Sequence, residues 1–231
     1  MLAIIGAMEE EVSLIRKKME EVAIVIRANM EFYKGKIFDK DVVVVRCGIG
    51  KVNAGICVQI LADIYKVDGI INTGIAGSLK KEINIGDIVL SEDALQHDVD
   101  ATGFGYALGQ IPRMEEFSFQ ADKKLLQLAR KCCEQVNRDI QTFTGRIVSG
   151  DQFISNKEKK EWLVTNFQGS CTEMEGAAIA QAAYLNHIPF LIVRAISDQA
   201  DDSAKMSYEE FETQAILHSV KLILAVIKEL P

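Results

Sequence analysis

The chain has 231 residues, of which 48% are hydrophobic, and its 26 basic and 33 acidic residues give a formal net charge of −7. A chain of this length and composition can bury a substantial core, and we expect one domain over residues 1–231. Because the lysines and arginines form no cluster and the net charge is negative, we expect no nucleic acid partner.

The first elements predict a strand followed by a helix. Residues 2–5 form an apolar run closed by Gly6, which is typical of a buried parallel strand. A helix is expected from about Glu9, with acids in its first turn. Its predicted apolar face holds Val12, Ile15, Met19 and Val22. A helix that directly follows a strand in an α/β fold begins at the sheet edge where ligands bind, which makes Glu11 a candidate.

The next part of the chain predicts three more strands and a glycine-containing turn. Strand-like stretches at 22–28, 31–37 and 41–46 alternate with turn residues, so this section should be antiparallel or mixed. The segment 48–51 matches neither common phosphate-loop pattern, and we interpret it as a tight strand-to-helix turn.

After a helix at 52–65, a strand at 69–73 leads into the glycine-containing segment 74–78. We interpret that segment as a turn that brings bare backbone close to a ligand.

The second half contains a long loop and more strand ends. Residues 97–106 are glycine-rich and too long for a simple turn, and ordered loops of this kind are usually functional or lie at interfaces. The remaining predicted elements are a strand at 86–90, a helix at 122–136, a strand at 142–149, a helix at 156–165, a helix from about 176 to 187, a strand at 189–196 and a helix at 207–230. This alternation predicts an α/β fold with a mixed sheet covered on both faces.

The segment 171–176 carries two acids, Glu173 and Glu175, between apolar stretches. In an extended strand both acids would share one face and Met174 would take the other, whereas a helix would splay the acids apart. A carboxylate there can accept two hydrogen bonds from vicinal ribose hydroxyls. The alternative interpretation is an acid at a helix N-terminus that is stabilised by the macrodipole.

Asp198 follows the last apolar strand much as Glu175 follows its own. Arg194 lies on the same strand face but about 13 Å away, so it should not neutralise Asp198 directly. The chain thus supplies three separated carboxylates and an aromatic side chain at Phe153. This set suits the cleavage of a ribosyl–base bond, which needs an acid for the base, a base for water and a clamp for the ribose.

The cysteines and histidines indicate neither disulfides nor a metal site. The five cysteines form no C-x-x-C pair, and the three histidines lie far apart in the sequence. We expect buried thiols, no metal and no cofactor. The apolar N-terminal run has no basic residues before it, and the apolar run at 222–226 is too short to span a bilayer. We therefore expect a cytoplasmic protein without a membrane partner.

Six segments stand out in chain order: 6–11 (GAMEEE), 72–77 (NTGIAG), 86–89 (GDIV), 149–154 (SGDQFI), 173–175 (EME) and 194–198 (RAISD). Together they resemble the bacterial 5′-methylthioadenosine/S-adenosylhomocysteine nucleosidases of the nucleoside phosphorylase superfamily. The resemblance covers nearly the whole chain. It implies a single three-layer α/β/α domain with a mixed, partly closed central sheet.

The resemblance also implies roles for particular residues. Glu11 would activate the attacking water, Asp198 would protonate adenine at N7, and Glu175 would hold the ribose hydroxyls above Met174. Phe153 would stack on adenine, the backbone of Ile154 would read the edge of the base, and the backbone of Gly77 would line the site. The other residues implied to contact the substrate are Met8, Ile49, Glu173, Ser197 and Tyr208. In a homodimer Ala101 and Phe104 would complete the partner's site. Ile75 departs from the serine of many relatives, so any role there would pass to the backbone.

The implied activity is hydrolysis of 5′-methylthioadenosine and S-adenosylhomocysteine, and also of 5′-deoxyadenosine, through water attack on an oxocarbenium-like sugar. It would serve methionine salvage and methyl-cycle detoxification. The preference among these nucleosides and aminofutalosine stays open.

Two alternatives stand beside this activity. A purine nucleoside phosphorylase would need cations for phosphate where this chain has Glu9–Glu11, Asn72 and Ile75. A non-catalytic nucleoside-binding protein could share the fold.

Overall fold

The computed structural model describes residues 1–230, so Pro231, the last residue of the predicted domain, lies outside it. In the described chain one mixed sheet is flanked by helices. The strands are β1 (Leu2–Gly6), β2 (Glu20–Arg27), β3 (Met30–Ile37), β4 (Lys40–Arg46), β5 (Gly69–Ser78), β6 (Ile88–Gln96), β7 (Phe119–Gln120), β8 (Thr142–Ser149), β9 (Cys171–Glu173) and β10 (Phe190–Asp198). The helices are α1 (Glu9–Arg16), α2 (Lys51–Ile60, continued by a π-helical turn Leu61–Tyr65), α3 (Lys123–Val136), α4 (Lys157–Phe167), α5 (Gly176–Leu185) and α6 (Ala204–Glu229).

The sheet has an open part and a closed part that share β5. In the open part β2, β3 and β4 form an antiparallel meander, and β1 lies parallel between β4 and β5. In the closed part β5 pairs with β10, β10 with β6, β6 with β8, β8 with β9, and β9 with β5 again. This ring of pairings closes half of the sheet into a barrel. The predicted α/β fold with a mixed, partly closed sheet is therefore confirmed.

The shared strand creates the opening for a site. On one side of β5, residues Gly69–Asn72 pair with β1 and residues Gly77–Ser78 pair with β9. Between them, among the described residues, Thr73–Ala76 have no strand partner on that side. Backbone groups of this stretch are thus free to bind side chains.

Helices cover the sheet in two groups. Helix α2 packs against α5, whereas α6 packs against α1 and α3. The alanine-rich helix α5 buries Ala177, Ala180 and Ala183, because small side chains let it lie close to its neighbours. No helix within residues 1–230 combines the length and the apolar character needed to cross a membrane.

Two local predictions were wrong. Helix α1 ends at Arg16 rather than continuing through Met19 and Val22, because pairing with β3 begins already at Glu20. The segment 74–78 is not a turn but the second half of β5, which keeps its pairing with β10 as far as Gly77. Glycines are needed in it for close approach. A Cβ atom at Gly74 would lie 2.6 Å from Oε1 of Glu11, and one at Gly77 would lie 2.7 Å from Oδ1 of Asp198.

Candidate active site

A cavity of about 560 Å³ lies beside the unpaired stretch of β5. Eleven of the predicted site residues line it: Met8, Glu11, Ile49, Gly77, Phe153, Glu173, Met174, Glu175, Ser197, Asp198 and Tyr208. Three predicted residues are outside its lining. Ile154 is buried in a neighbouring apolar cluster, and Ala101 and Phe104 lie in the loop after β6, with Phe104 88% exposed. One chain therefore assembles most of the predicted site, and the loop residues remain outside it.

Glu11 is fixed at the start of α1 by three backbone amides. Its Oε2 accepts hydrogen bonds from the N–H groups of Ala7 at 2.7 Å and Met8 at 3.0 Å, as an acid at the third helical position can. Its Oε1 accepts from the N–H of Ile75 at 3.2 Å. Burial nevertheless raises the pKa of Glu11 and outweighs these bonds and the attraction of Arg194. The result is a positioned carboxylate with raised proton affinity.

Glu173 is occupied by other protein groups. It forms a buried ion pair with Arg194 and accepts hydrogen bonds from the Ser149 hydroxyl and from the N–H of Gly176 at 2.8 Å. Burial alone would raise its pKa, but Arg194 and Ser149 hold the pKa below its ordinary value. Glu173 therefore stays ionised and braces the turn from β9 into α5, with its lone pairs already used.

Arg194 places a buried cation beside Glu11 and Glu173. Its guanidinium is 2% exposed and acts on Glu11 as well as on Glu173. It also donates to Asn72 and to the Val193 carbonyl, so its donors are used within the protein. As predicted, it does not bond to Asp198.

Glu175 lies two residues away from Glu173 but in a different environment. It occupies the position before the first turn of α5, and its Oε1 accepts from the N–H of Gly50 at 2.8 Å. Burial, followed by the charge of Glu173, raises the pKa of Glu175 to about 8. Of the two neighbouring acids, only Glu175 has a carboxylate oxygen left for a ligand.

Asp198 ends β10 opposite Gly77. Its Oδ2 accepts from the Ser197 hydroxyl at 2.8 Å and its Oδ1 from the N–H of Ala200 at 2.8 Å. Burial raises the pKa of Asp198 and outweighs both hydrogen bonds. A carboxyl group in this state is suited to deliver a proton.

Aromatic and thioether groups form the other walls. Phe153 and Tyr208 meet edge to face with ring centroids 6.0 Å apart, and Phe153, which lines the cavity, is 52% exposed. The Tyr208 hydroxyl lies 3.3 Å from Sδ of Met8 and 3.0 Å from Oε1 of Glu212. An exposed ring of this kind offers a stacking face for a base.

Comparison with known proteins identifies the family. Residues 1–228 match the family model of the phosphorylase superfamily. A protein of Staphylococcus carnosus named 5′-methylthioadenosine/S-adenosylhomocysteine nucleosidase is 43% identical over the whole of both chains. The chain belongs to this nucleosidase family.

Solved structures of the nucleosidases agree with this assignment. The Neisseria meningitidis enzyme, in complex with methylthio-immucillin-A, is 38% identical with a TM-score of 0.95, and the match covers 99% of each chain. A Helicobacter pylori nucleosidase with an aspartate changed to asparagine holds 5′-methylthioadenosine in its active site. That protein is 33% identical with a TM-score of 0.94, and the match covers 99% of this chain and 98% of the other.

Ile75 contributes both its side chain and its backbone to the site. Its side chain lines the cavity and is 8% exposed, while its N–H group, left free by the gap beside β5, binds Glu11. At this position the backbone, and not the side chain, makes the hydrogen bond to Glu11.

Sequence reasoning missed Lys51, which joins three segments around the candidate site. Its N–H binds Asp151 at 2.9 Å, two residues before Phe153, and its ammonium binds Asp98 at 2.6 Å, where the long loop begins. It directly follows Gly50, the donor to Glu175. The G-x-G-K segment is the tight strand-to-helix turn that the sequence predicts, since α2 begins at Lys51, but the pattern alone does not indicate the contacts of the lysine.

Proposed function

We propose that this chain hydrolyses the N-glycosidic bond of 5′-methylthioadenosine and S-adenosylhomocysteine and releases adenine. The observation that carries the proposal is that three buried carboxyl groups with raised pKa, those of Glu11, Glu175 and Asp198, line one cavity with Phe153. The names of the relatives point to the same substrates.

Asp198 is the general acid of the proposed reaction. Adenine is a poor leaving group unless it is protonated, and the raised pKa lets Asp198 keep a proton closer to neutral pH than an ordinary aspartate. The Ser197 hydroxyl and the Ala200 N–H fix the carboxyl group. The proton passes to N7 as the bond from N9 to the ribose breaks.

Glu11 is the general base for water. Three amides hold its carboxylate in place, and its raised proton affinity favours proton removal from the attacking water. The positive charge that grows on the sugar favours the ionised form of Glu175, which then accepts the ribose hydroxyl hydrogen bonds above Met174 and stabilises that charge. These side chains supply acid, base and clamp, and the proposed reaction needs no cofactor.

The surroundings of Arg194 favour water over phosphate as the nucleophile. Its guanidinium is bound by Glu173, Asn72 and Val193 and is outside the lining of the cavity. A phosphate dianion would instead meet Glu11 and Glu175, which offer it no positive charge. Hydrolysis is therefore the proposed reaction rather than phosphorolysis.

We also propose a homodimer in which the loop at 97–106 completes the partner's site. Ala101 and Phe104 lie outside the cavity of their own chain. Exposed apolar side chains on the α2–α5 side, with Val52 at 73% and Leu185 at 60% exposure, form a surface that a second copy can cover.

The test is adenine release from 5′-methylthioadenosine in phosphate-free buffer that contains a chelator. Hydrolysis should proceed and give the free thioribose. Strict dependence on phosphate, with a sugar 1-phosphate as product, would establish a phosphorylase instead, and tight binding without turnover would establish a binding protein.

A further inference from the structure

A second cavity, of about 520 Å³, adjoins the active-site cavity and is not used by the proposed chemistry. The two cavities share the lining residues Ala7, Met8 and Ile49. They therefore meet at one apolar junction, whereas Asp198 and Gly77 line only the first cavity. A substrate that fills the first cavity can extend past this junction into the second.

The second cavity is polar and contains charges of both signs. Arg46 approaches it from the end of β4, where it pairs in register with Gly6, and Glu10 approaches it from the first turn of α1. Among residues 1–230, neither side chain has an ion-pair partner, whereas Glu9 is paired with Arg16. A free cation and a free anion thus face one space next to the site.

The two substrates of the proposed function differ in the group that would reach this space. Both carry sulfur on the 5′ carbon of the ribose. In methylthioadenosine the chain ends there with a methyl group, but in S-adenosylhomocysteine it continues through methylene groups to a carbon that bears an ammonium and a carboxylate. A thioether and methylenes suit the junction of Met8 and Ile49, and a zwitterion suits a cavity with both charges.

We propose that the second cavity binds the amino-acid end of S-adenosylhomocysteine, with Arg46 receiving the carboxylate and Glu10 the ammonium. Arginine suits this role because its planar fork can donate two hydrogen bonds to one carboxylate. The inference rests on the proposed function and extends it, since it names the residues that read the longer substrate. Both charges are exposed, so each should contribute modestly and lose effect as the salt concentration rises.

The experiment compares kcat/KM for three nucleosides: methylthioadenosine, S-adenosylhomocysteine and 5′-butylthioadenosine, whose tail is uncharged. In Arg46→Gln and in Glu10→Gln, the value for S-adenosylhomocysteine should fall by about three- to tenfold. The values for the other two nucleosides should stay unchanged, and Arg46→Lys should recover part of the loss. Raising the salt concentration should lower the parent's ratio of kcat/KM for S-adenosylhomocysteine to kcat/KM for methylthioadenosine. The same ratio should not change with salt in Arg46→Gln and Glu10→Gln.

The matched control comes from α6, whose Lys205 and Glu209 also carry both signs and line the active-site cavity but not the second cavity. Lys205→Met should leave the ratio of the two natural substrates as it is in the parent. If Lys205→Met changes that ratio and Arg46→Gln does not, the tail leaves by the α6 side and the proposal is wrong.

The proposal is equally overturned if Arg46→Gln lowers all three values together. Failure of the parent to hydrolyse methylthioadenosine would instead refute the proposed function, which keeps the two failures apart.

Discussion

Replacing Glu175 by glutamine should make the protein more stable near neutral pH while it destroys activity. The pKa of Glu175 is raised to about 8 from its ordinary 4.5 because the side chain is buried beside the ionised Glu173. The folded protein thus holds a proton at pH 7 that the unfolded chain has released. Stability from this group is fully present below about pH 4.5 and is lost as the pH rises through about 8.

The magnitude follows from linkage. Each pH unit between the two pKa values changes the free energy of unfolding by about 1.4 kcal/mol, so the parent should lose about 3 kcal/mol from this group between pH 5 and pH 7.5. Glutamine does not titrate, and its side-chain oxygen can still accept from the N–H of Gly50. Glu173 does not take over the proton in the variant, because Arg194 holds it ionised.

Denaturant unfolding of the parent and of Glu175→Gln at both pH values measures this effect, at one protein concentration because of the proposed dimer. Between pH 5 and pH 7.5, the free energy of unfolding of the variant should rise by about 3 kcal/mol relative to that of the parent. The control Glu82→Gln makes the same chemical change at an exposed position and should show no such shift. If the difference for Glu175→Gln is the same at both pH values, Glu175 is ionised in the folded protein and the reasoning fails. The same variant should lose about 2 to 4 kcal/mol of transition-state stabilisation on ribosides.

Three further predictions test other parts of the site. Asp198→Asn should lose at least about a hundredfold in kcat and keep its affinity for an adenine-based inhibitor, which calorimetry can measure. Turnover close to that of the parent would show that Asp198 is not part of the mechanism. Arg194→Met should lower the free energy of unfolding by about 3 to 5 kcal/mol because Glu173 is left buried without its partner. Adding Glu173→Gln to this variant should recover part of the lost stability. A loss under about 1 kcal/mol in Arg194→Met would contradict the pairing. Phe104→Ala should raise KM without changing thermal unfolding, and sedimentation showing an active monomer would contradict the shared site.

The sequence by itself determined the parts of the protein that depend on neighbours along the chain. The strand at 142–149 and the helix from about 122 were predicted with their bounds, and the structure confirms them, with Asp122 capping α3. Periodicity and capping are local properties, so they can be read from a few residues. The three acids at the ends of apolar stretches were found for the same reason.

Only the tertiary structure decided which acids are available to a substrate. Glu173 and Glu175 are the same residue type two positions apart, and no local rule separates them. They differ because β10 brings Arg194 and β8 brings Ser149 to Glu173, whereas the turn before α2 brings only the Gly50 N–H to Glu175. The proton affinity of a buried carboxyl group depends on charges and donors from distant parts of the chain, and closure of the sheet around β5 is what brings those groups together.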